Sequence, residues 1–361
     1  MASRQRVTLA DVAARAGVSR STASFVTSGR KDMRISPDAS RRVLEAVEEL
    51  GYRPNLTARS LRTTVTHTFG LLSDTIATEQ FAGEMIHGAL DAALQHGRLL
   101  FVAETQADPG VEERYIRDMT DRQVDGLVYA AMYTHVVPLP ASLRGHPLVL
   151  LNCLSDDLST PSVIPDEVNA GRAAARVLLE AGHRDGIHLL GDGEPDLLAY
   201  RERVAGIADV LRAADLRLAG HTTCSWWPGP AYEAVSALLA LGPIPQALIC
   251  LNDRIALGAY QAVQAVGLRI PADISVISFD DSDLASWLQP QLTTVALPHY
   301  ELGHQAVDLL AAGELKPQVH RVTMPLRMRS SVASPAPRRG LPELLADRRG
   351  PPPEGVPSTL P

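Results

Sequence analysis

The chain has 361 residues, 45% of them hydrophobic, 21% charged and only 4% aromatic, which supplies core material for at least two folding units and excludes an intrinsically disordered chain. Its three cysteines, Cys153, Cys224 and Cys250, have no CxxC spacing, so they make neither a disulfide framework nor a zinc finger, and its apolar runs are strand-sized, too short to cross a membrane. The net charge of −7 is unevenly divided: of 34 Lys+Arg and 41 Asp+Glu, residues 1–62 hold 12 and 6, leaving 22 and 35 for the rest, and a small basic module on an acidic body points to nucleic-acid contact.

The N-terminus, MASRQRVTLADV, turns polar where a signal peptide needs its apolar stretch, so a cytoplasmic protein is expected. Thr8 can cap a first helix, with Asp11 near the positive end of its dipole and Leu9, Val12, Ala13 and Ala16 as its apolar stripe. Gly17 ends that helix, Val18 packs inward, and Ser19 caps a second one running from Arg20 to about Thr27. Two short helices joined by a tight Gly-containing turn, with Ala13 at their crossing, form a helix-turn-helix. The second helix offers Arg20, Ser21, Thr22 and Ser24, short polar groups plus one long cation, the types that reach phosphates and base edges. A third helix follows, capped by Ser36 with Pro37 in its first turn and Val43, Leu44, Val47 and Leu50 expected in the core, and Gly51 stops it. Asn55 can cap a last segment through Arg62, too short to be stable alone, which needs a partner or DNA to order it.

The segments VTLADVAARAGVSRSTAS, LEAVEELGYRPN and ARSL resemble the LacI (lactose-repressor) family of bacterial transcription regulators in sequence and spacing. The resemblance implies that the second helix lies in the major groove, with Thr8, Ser19, Arg20, Ser21, Thr22, Ser24 and Phe25 in the DNA-facing set. It also implies that Asn55–Arg62 is a hinge helix folding on the operator, in which Ala58 allows two hinges to approach and Leu61 wedges into the minor groove. One departure stands out: where the family commonly has an Arg, suited to guanine, this chain has Phe25.

From residue 67 the sequence alternates strand and helix. Strands are expected at 68–72, 99–103, 126–130, 148–151, 187–190, 247–250 and 275–279, and helices at 83–95, 111–120, 170–180, 203–213, 232–240, 255–265 and 300–311. This pattern predicts doubly wound parallel sheets, and its length predicts two lobes with a crossover near residue 161. The expected division is a helix-turn-helix domain at 1–54, a hinge and linker at 55–66, a two-lobed α/β body at 67–332, and a disordered Pro/Arg-rich tail at 333–361. The segments VIPDEVNAGRAAARVLLEAGH, LNDRIALGAYQAV, ISVISFDDSDLA and PQLTTVALPHYELG continue the resemblance. They imply a body like that of periplasmic sugar-binding proteins, with a ligand between the lobes.

Strand ends are where open α/β sheets bind ligands. The effector-binding candidates are Asp74, Asn152, Arg203, Trp226, Asn252 and Asp280. Arg203 and Asp280 match family effector positions; a carboxylate, a guanidinium and an aromatic face together suit a polyol. The competing structural roles are an Arg203–Asp280 ion pair, a turn at Asn252, a helix cap at Asp253 and loop packing for Trp226. Gly191-Asp192-Gly193 follows a strand but lacks the third glycine of a dinucleotide fingerprint, and neither GxxxxGK[ST], GxSxG nor HExxH occurs. No catalytic residue, metal site or cofactor is expected. The sequence reads as a ligand-responsive homodimeric DNA-binding regulator, most readily a repressor, with a near-palindromic operator and a carbohydrate-like effector. The alternatives are a receptor-type carbohydrate-binding protein and a sugar-modifying α/β enzyme.

Overall fold

The computed structural model describes residues 7–28, 35–53, 65–76, 83–192, 197–313 and 315–335, and the chain divides into two compact units, at Thr66/His67. Asn55, Ala58 and Leu61 of the expected hinge, and the tail from residue 336, lie outside the described residues.

The first unit contains α1 (Leu9–Ala16), α2 (Arg20–Thr27) and α3 (Pro37–Leu50). Thr8 and Asp11 form a reciprocal capping box, with the Thr8 N–H 2.8 Å from the Asp11 carboxylate. Gly17 sits at φ +63°, a conformation that costs other residues a steric penalty, and its turn leads to the Ser19 cap of α2. Val12, Ala13, Ala16, Ala23, Val43 and Ala46 make the core, with Leu9, Val18, Val47 and Leu50 packed on it. The stripe of α3 therefore runs through 43, 46, 47 and 50; Leu44, expected inside, is 56% exposed because it lies about 100° around the helix from Val43.

The described residues of the second unit form two six-stranded sheets. The first sheet contains β1 (Thr68–Ser73), β2 (Leu99–Glu104), β3 (Gly126–Val137), β4 (Leu148–Ser155), β5 (Ser162–Pro165) and, from late in the chain, β11 (Val319–Val322), in the order β11-β5-β4-β3-β1-β2. The second contains β6 (Ile187–Leu190), β7 (Gly220–Thr222), β8 (Ala247–Cys250), β9 (Ser275–Asp280), β10 (Thr293–Ala296) and β12 (Leu326–Arg327), in the order β12-β10-β9-β8-β6-β7. All neighbours are parallel except β10 and β12. Helices α4 (Gly83–Gln95) and α5 (Pro109–Asp121) serve the first sheet. The second is served by α6 (Glu167–Glu180), α7 (Leu198–Ala213), α8 (Pro228–Leu241) and α9 (Asp253–Ala265), with a short α10 (Asp283–Trp287). The central strands are buried on both faces, as helix-covered parallel strands must be.

The lobe crossing expected near residue 161 falls instead after Pro165, because Leu150 and Leu151 pair with Ser162 and Val163 and keep β5 in the first sheet. The chain returns to the first lobe through α11 (His299–Ala312), which packs along α4, and reaches β12 after β11. Residue 333, expected to begin the tail, is held by the body: His183 Nε2 lies 3.0 Å from the Ala333 carbonyl, and the Ala333 N–H donates to Ser275 Oγ at 3.1 Å.

Candidate functional site

In the first unit, Ser19 Oγ accepts the Thr22 N–H at 3.0 Å and lies 2.8 Å from the Thr22 hydroxyl, so these two side chains build the helix start. Arg20 and Ser21 are exposed, while Thr22, Ser24 and Phe25 are half-buried. The first turn of α2 thus presents one flexible cation and one hydroxyl at a positive helix end, a surface suited to a polyanionic groove. Thr8 is exposed, but its side chain is engaged in the capping box.

In the second unit, a cavity of about 540 Å³ opens between the lobes. Its second-lobe wall is built on the crossing of α6 and α7. A side chain on Gly171 would collide with the Arg203 carbonyl, and one on Gly206 with the Val168 carbonyl. That close approach brings Glu167 against Arg203, with Arg203 Nε and Nη2 donating to its two carboxylate oxygens at 2.6 and 3.0 Å. Nη1 donates to the Leu251 carbonyl and Nη2 to Asp280 Oδ1 at 3.4 Å, so four of the five guanidinium N–H groups are engaged. The Arg203 guanidinium also lies 4.7 Å from the Phe279 ring centre and 5.7 Å from that of Trp226.

Asp280 ends β9 at φ +109° and Asp281 follows it at +54°, strained values for non-glycine residues. Burial pushes the Asp280 carboxyl up to about 8; Arg203 pulls it back, and Asp253 and Glu167 push it further. Asp281 pairs with Arg329 at 2.6 Å. The Asp253 carboxylate, almost fully buried, accepts from the hydroxyls of Ser278, Ser282 and Thr294 and from the Ser282 N–H, tying β9, β10 and the start of α10 together. The cap of α9 is Asn252, whose Oδ1 accepts the Ile255 N–H at 2.7 Å, so Asp253 is a cross-brace rather than a cap.

The first-lobe wall comes from the starts of α4 and α11, including Glu84, His299, Tyr300 and Glu301, and from the Met132–Thr134 segment of β3. Burial lowers the His299 imidazole to about 4, keeping it neutral near pH 7.

The structure brings Asn152, Arg203, Trp226, Asn252 and Asp280 to this one cavity. Asp74 is absent from its wall. The Asp74 carboxylate accepts the Met132 N–H at 3.0 and 3.1 Å and the Thr75 N–H at 2.6 Å, holding the register shift of β3. Asn152, at φ +57°, donates to the Ala131 and Met132 carbonyls and accepts from Thr134, so its amide too shapes β3. Trp226 is half-buried, and its indole N–H donates to the Asp192 carbonyl. Sequence reasoning missed Glu167 and the first-lobe wall. An acidic residue at a helix start, four residues before Gly171, was the only signal for the former.

Comparison with known proteins agrees with this geometry. Residues 8–55 match the family model "Bacterial regulatory proteins, lacI family", and residues 66–330 match "Periplasmic binding proteins and sugar binding domain of LacI family". The chain is 33% identical over 314 residues to the HTH-type transcriptional repressor PurR of Aliivibrio salmonicida, covering 84% of this chain and 91% of that one. It is 32% identical over 323 residues to the ribose operon repressor of Escherichia coli K12, covering 88% and 94%. Its fold is similar to the lac repressor dimer bound to operator and the anti-inducer ONPF, with a TM-score of 0.72 and 26% identity over 91% of this chain and 100% of that one. The chain belongs to the LacI family of bacterial regulatory proteins and is a DNA-binding transcriptional regulator.

Proposed function

We propose that this regulator is a cytoplasmic repressor that acts as a homodimer on a near-palindromic operator, and that a polyhydroxylated small molecule in the interlobe cavity controls its grip on DNA. The observation that carries the ligand reading is the cavity itself, whose walls come from both lobes and combine carboxylates, a guanidinium and indole faces. A ligand touching both walls favours one lobe arrangement over another, and its differential affinity is the free energy available for control.

An exposed apolar strip supports the dimer reading. Leu99, Phe101 and Val102 on the edge strand β2, with Leu90 and Leu94 on α4, are all exposed, and Leu94 is 75% so. An open edge flanked by leucines is a surface that a soluble protein covers, and a two-fold partner would present the same strip. Two-fold symmetry in the protein requires paired half-sites in the DNA. In each half-site Arg20 and Ser21 would meet base edges and phosphates, and the hinge residues Asn55, Ala58 and Leu61 would fold into the minor groove. A catalytic role finds no support, since the named relatives are repressors.

The test is retention of genomic DNA fragments on the purified full-length chain, followed by titration of the recovered site with a panel of sugars and polyols. A palindromic consensus whose affinity changes with one of them is expected. An enriched site that ignores every member of the panel contradicts the ligand reading.

A further inference from the structure

The cavity's charges are unbalanced in one direction. Each cation on its wall has an answering group in the protein. Arg203 has Glu167 and Asp280, Arg327 lies 3.5 Å from the Asp281 carboxylate that Arg329 also holds at 2.6 Å, and Arg254 lies over the Trp227 ring with 4.5 Å to its centre. His299 is neutral.

The carboxylates are not matched in return. Asp283 and Glu301 are exposed on opposite walls, and among the described residues no cation lies within 4.0 Å of either. Glu84, also on the first-lobe wall, reaches among the described residues only the His87 imidazole, at 3.4 Å. Asp283 on one wall and Glu301 on the other place like charges on both sides of one cleft, which focuses their field. An anionic ligand would add to that repulsion, a neutral polyol would leave it in place, and a cation would remove it. Of the aromatic groups of the cavity, Trp226 and Trp227 already carry Arg203 and Arg254, and Tyr133 adds a further face of the kind that attracts an ammonium group.

Resting on the reading of this cavity as the effector site, we propose that the effector carries a protonated amine on its polyhydroxylated frame, held by Asp283 from one lobe and Glu301 from the other. Cancelling the repulsion between the walls draws the lobes together, so the ligand's charge as well as its hydroxyls sets the lobe arrangement.

The experiment is isothermal titration of the full-length chain with matched probes. One set is glucosamine, N-acetylglucosamine, glucose and glucose 6-phosphate. A second is the same set built on galactose, and a third is glucamine against sorbitol. In at least one set the amine should bind about tenfold or more tighter than its uncharged counterparts, with the phosphate weakest. In the Asp283→Asn/Glu301→Gln double variant that gap should narrow by about threefold or more. Equal or tighter binding of the neutral or phosphorylated member in every set that binds overturns the proposal while leaving the effector reading intact. A gap unchanged in the double variant overturns it, as does the absence of binding by any amine. The effector reading fails separately, if no ligand of any charge alters operator affinity.

Discussion

Glu167 and Arg203 form a two-pronged ion pair, at 2.6 and 3.0 Å, with side chains 1% and 2% exposed. The pair is 36 residues apart in sequence and joins α6 to α7 at the floor of the cavity. It shifts the role of Arg203, which holds Glu167, the Leu251 carbonyl and Asp280 in place and has one N–H group left for a ligand.

Removing either partner leaves the other charge buried and unanswered. Glu167→Ala and Arg203→Ala should each destabilise the second unit by about 3–5 kcal/mol, while Glu167→Gln/Arg203→Met together should cost less than either alone. Denaturant unfolding of the four proteins checks this. Near-native stability of Arg203→Ala would show that the guanidinium serves the ligand and not the fold.

Asp280 makes stability depend on pH. Its folded value, about 8, lies above the ordinary 3.8, so the unfolded chain releases this proton first. Its stabilising contribution is complete below pH 4 and is lost as the pH climbs towards 8. Asp280→Asn cannot titrate, so its melting temperature should match the wild type near pH 4 and exceed it increasingly from pH 5 to 8. Parallel melting curves across that range would mean that the carboxyl titrates normally.

On α2, Phe25 is half-buried where a longer polar side chain could reach a base, while Arg20 is free of the module's core. Phe25→Arg should create a guanine preference worth about 1–3 kcal/mol at one position per half-site, and Arg20→Ala should weaken binding and relax selectivity at another. Binding-site selection with the three proteins measures both. One unchanged consensus throughout would assign specificity to the hinge wedge and DNA bending instead.

The apolar strip on α4 and β2 yields a prediction for assembly. Leu94→Glu places like charges together in a two-fold interface and should shift the protein from dimer to monomer in sedimentation, with a parallel loss of operator affinity. A variant that remains dimeric would put the interface elsewhere.

Local chemistry was legible in the sequence wherever the determinants lie within a few residues. Thr8, Ser19 and Ser36 cap helices where Ser or Thr precedes an apolar stripe, and β6 and β8 have the bounds expected from the sequence, 187–190 and 247–250. The short strands β5, β7, β10, β11 and β12 were not legible. They are two to four residues long and, unlike the equally short but mostly apolar β6 and β8, most carry polar or Pro residues among their few apolar ones, so their pairing partners define them. The cavity followed the same division. Arg203 and Asp280 were visible from their motifs, but Glu167 becomes their neighbour only through the glycine-mediated crossing of α6 and α7. Glu301 and His299 reach the site only because the chain re-enters the first lobe at α11. Asp74 shows the converse: a strand-end carboxylate of the expected type, diverted by the register shift in β3.

The central claim is that one lobe equilibrium links the cavity to the operator. Linkage then requires that the factor by which bound effector changes operator affinity equals the factor by which bound operator changes effector affinity. Measuring both on the same full-length protein, by operator titration with and without saturating effector and by effector titration with and without saturating operator, is the most direct test. The account predicts the same factor from both, in the range of about 5–150. Effector binding that is identical on free and operator-bound protein would contradict it.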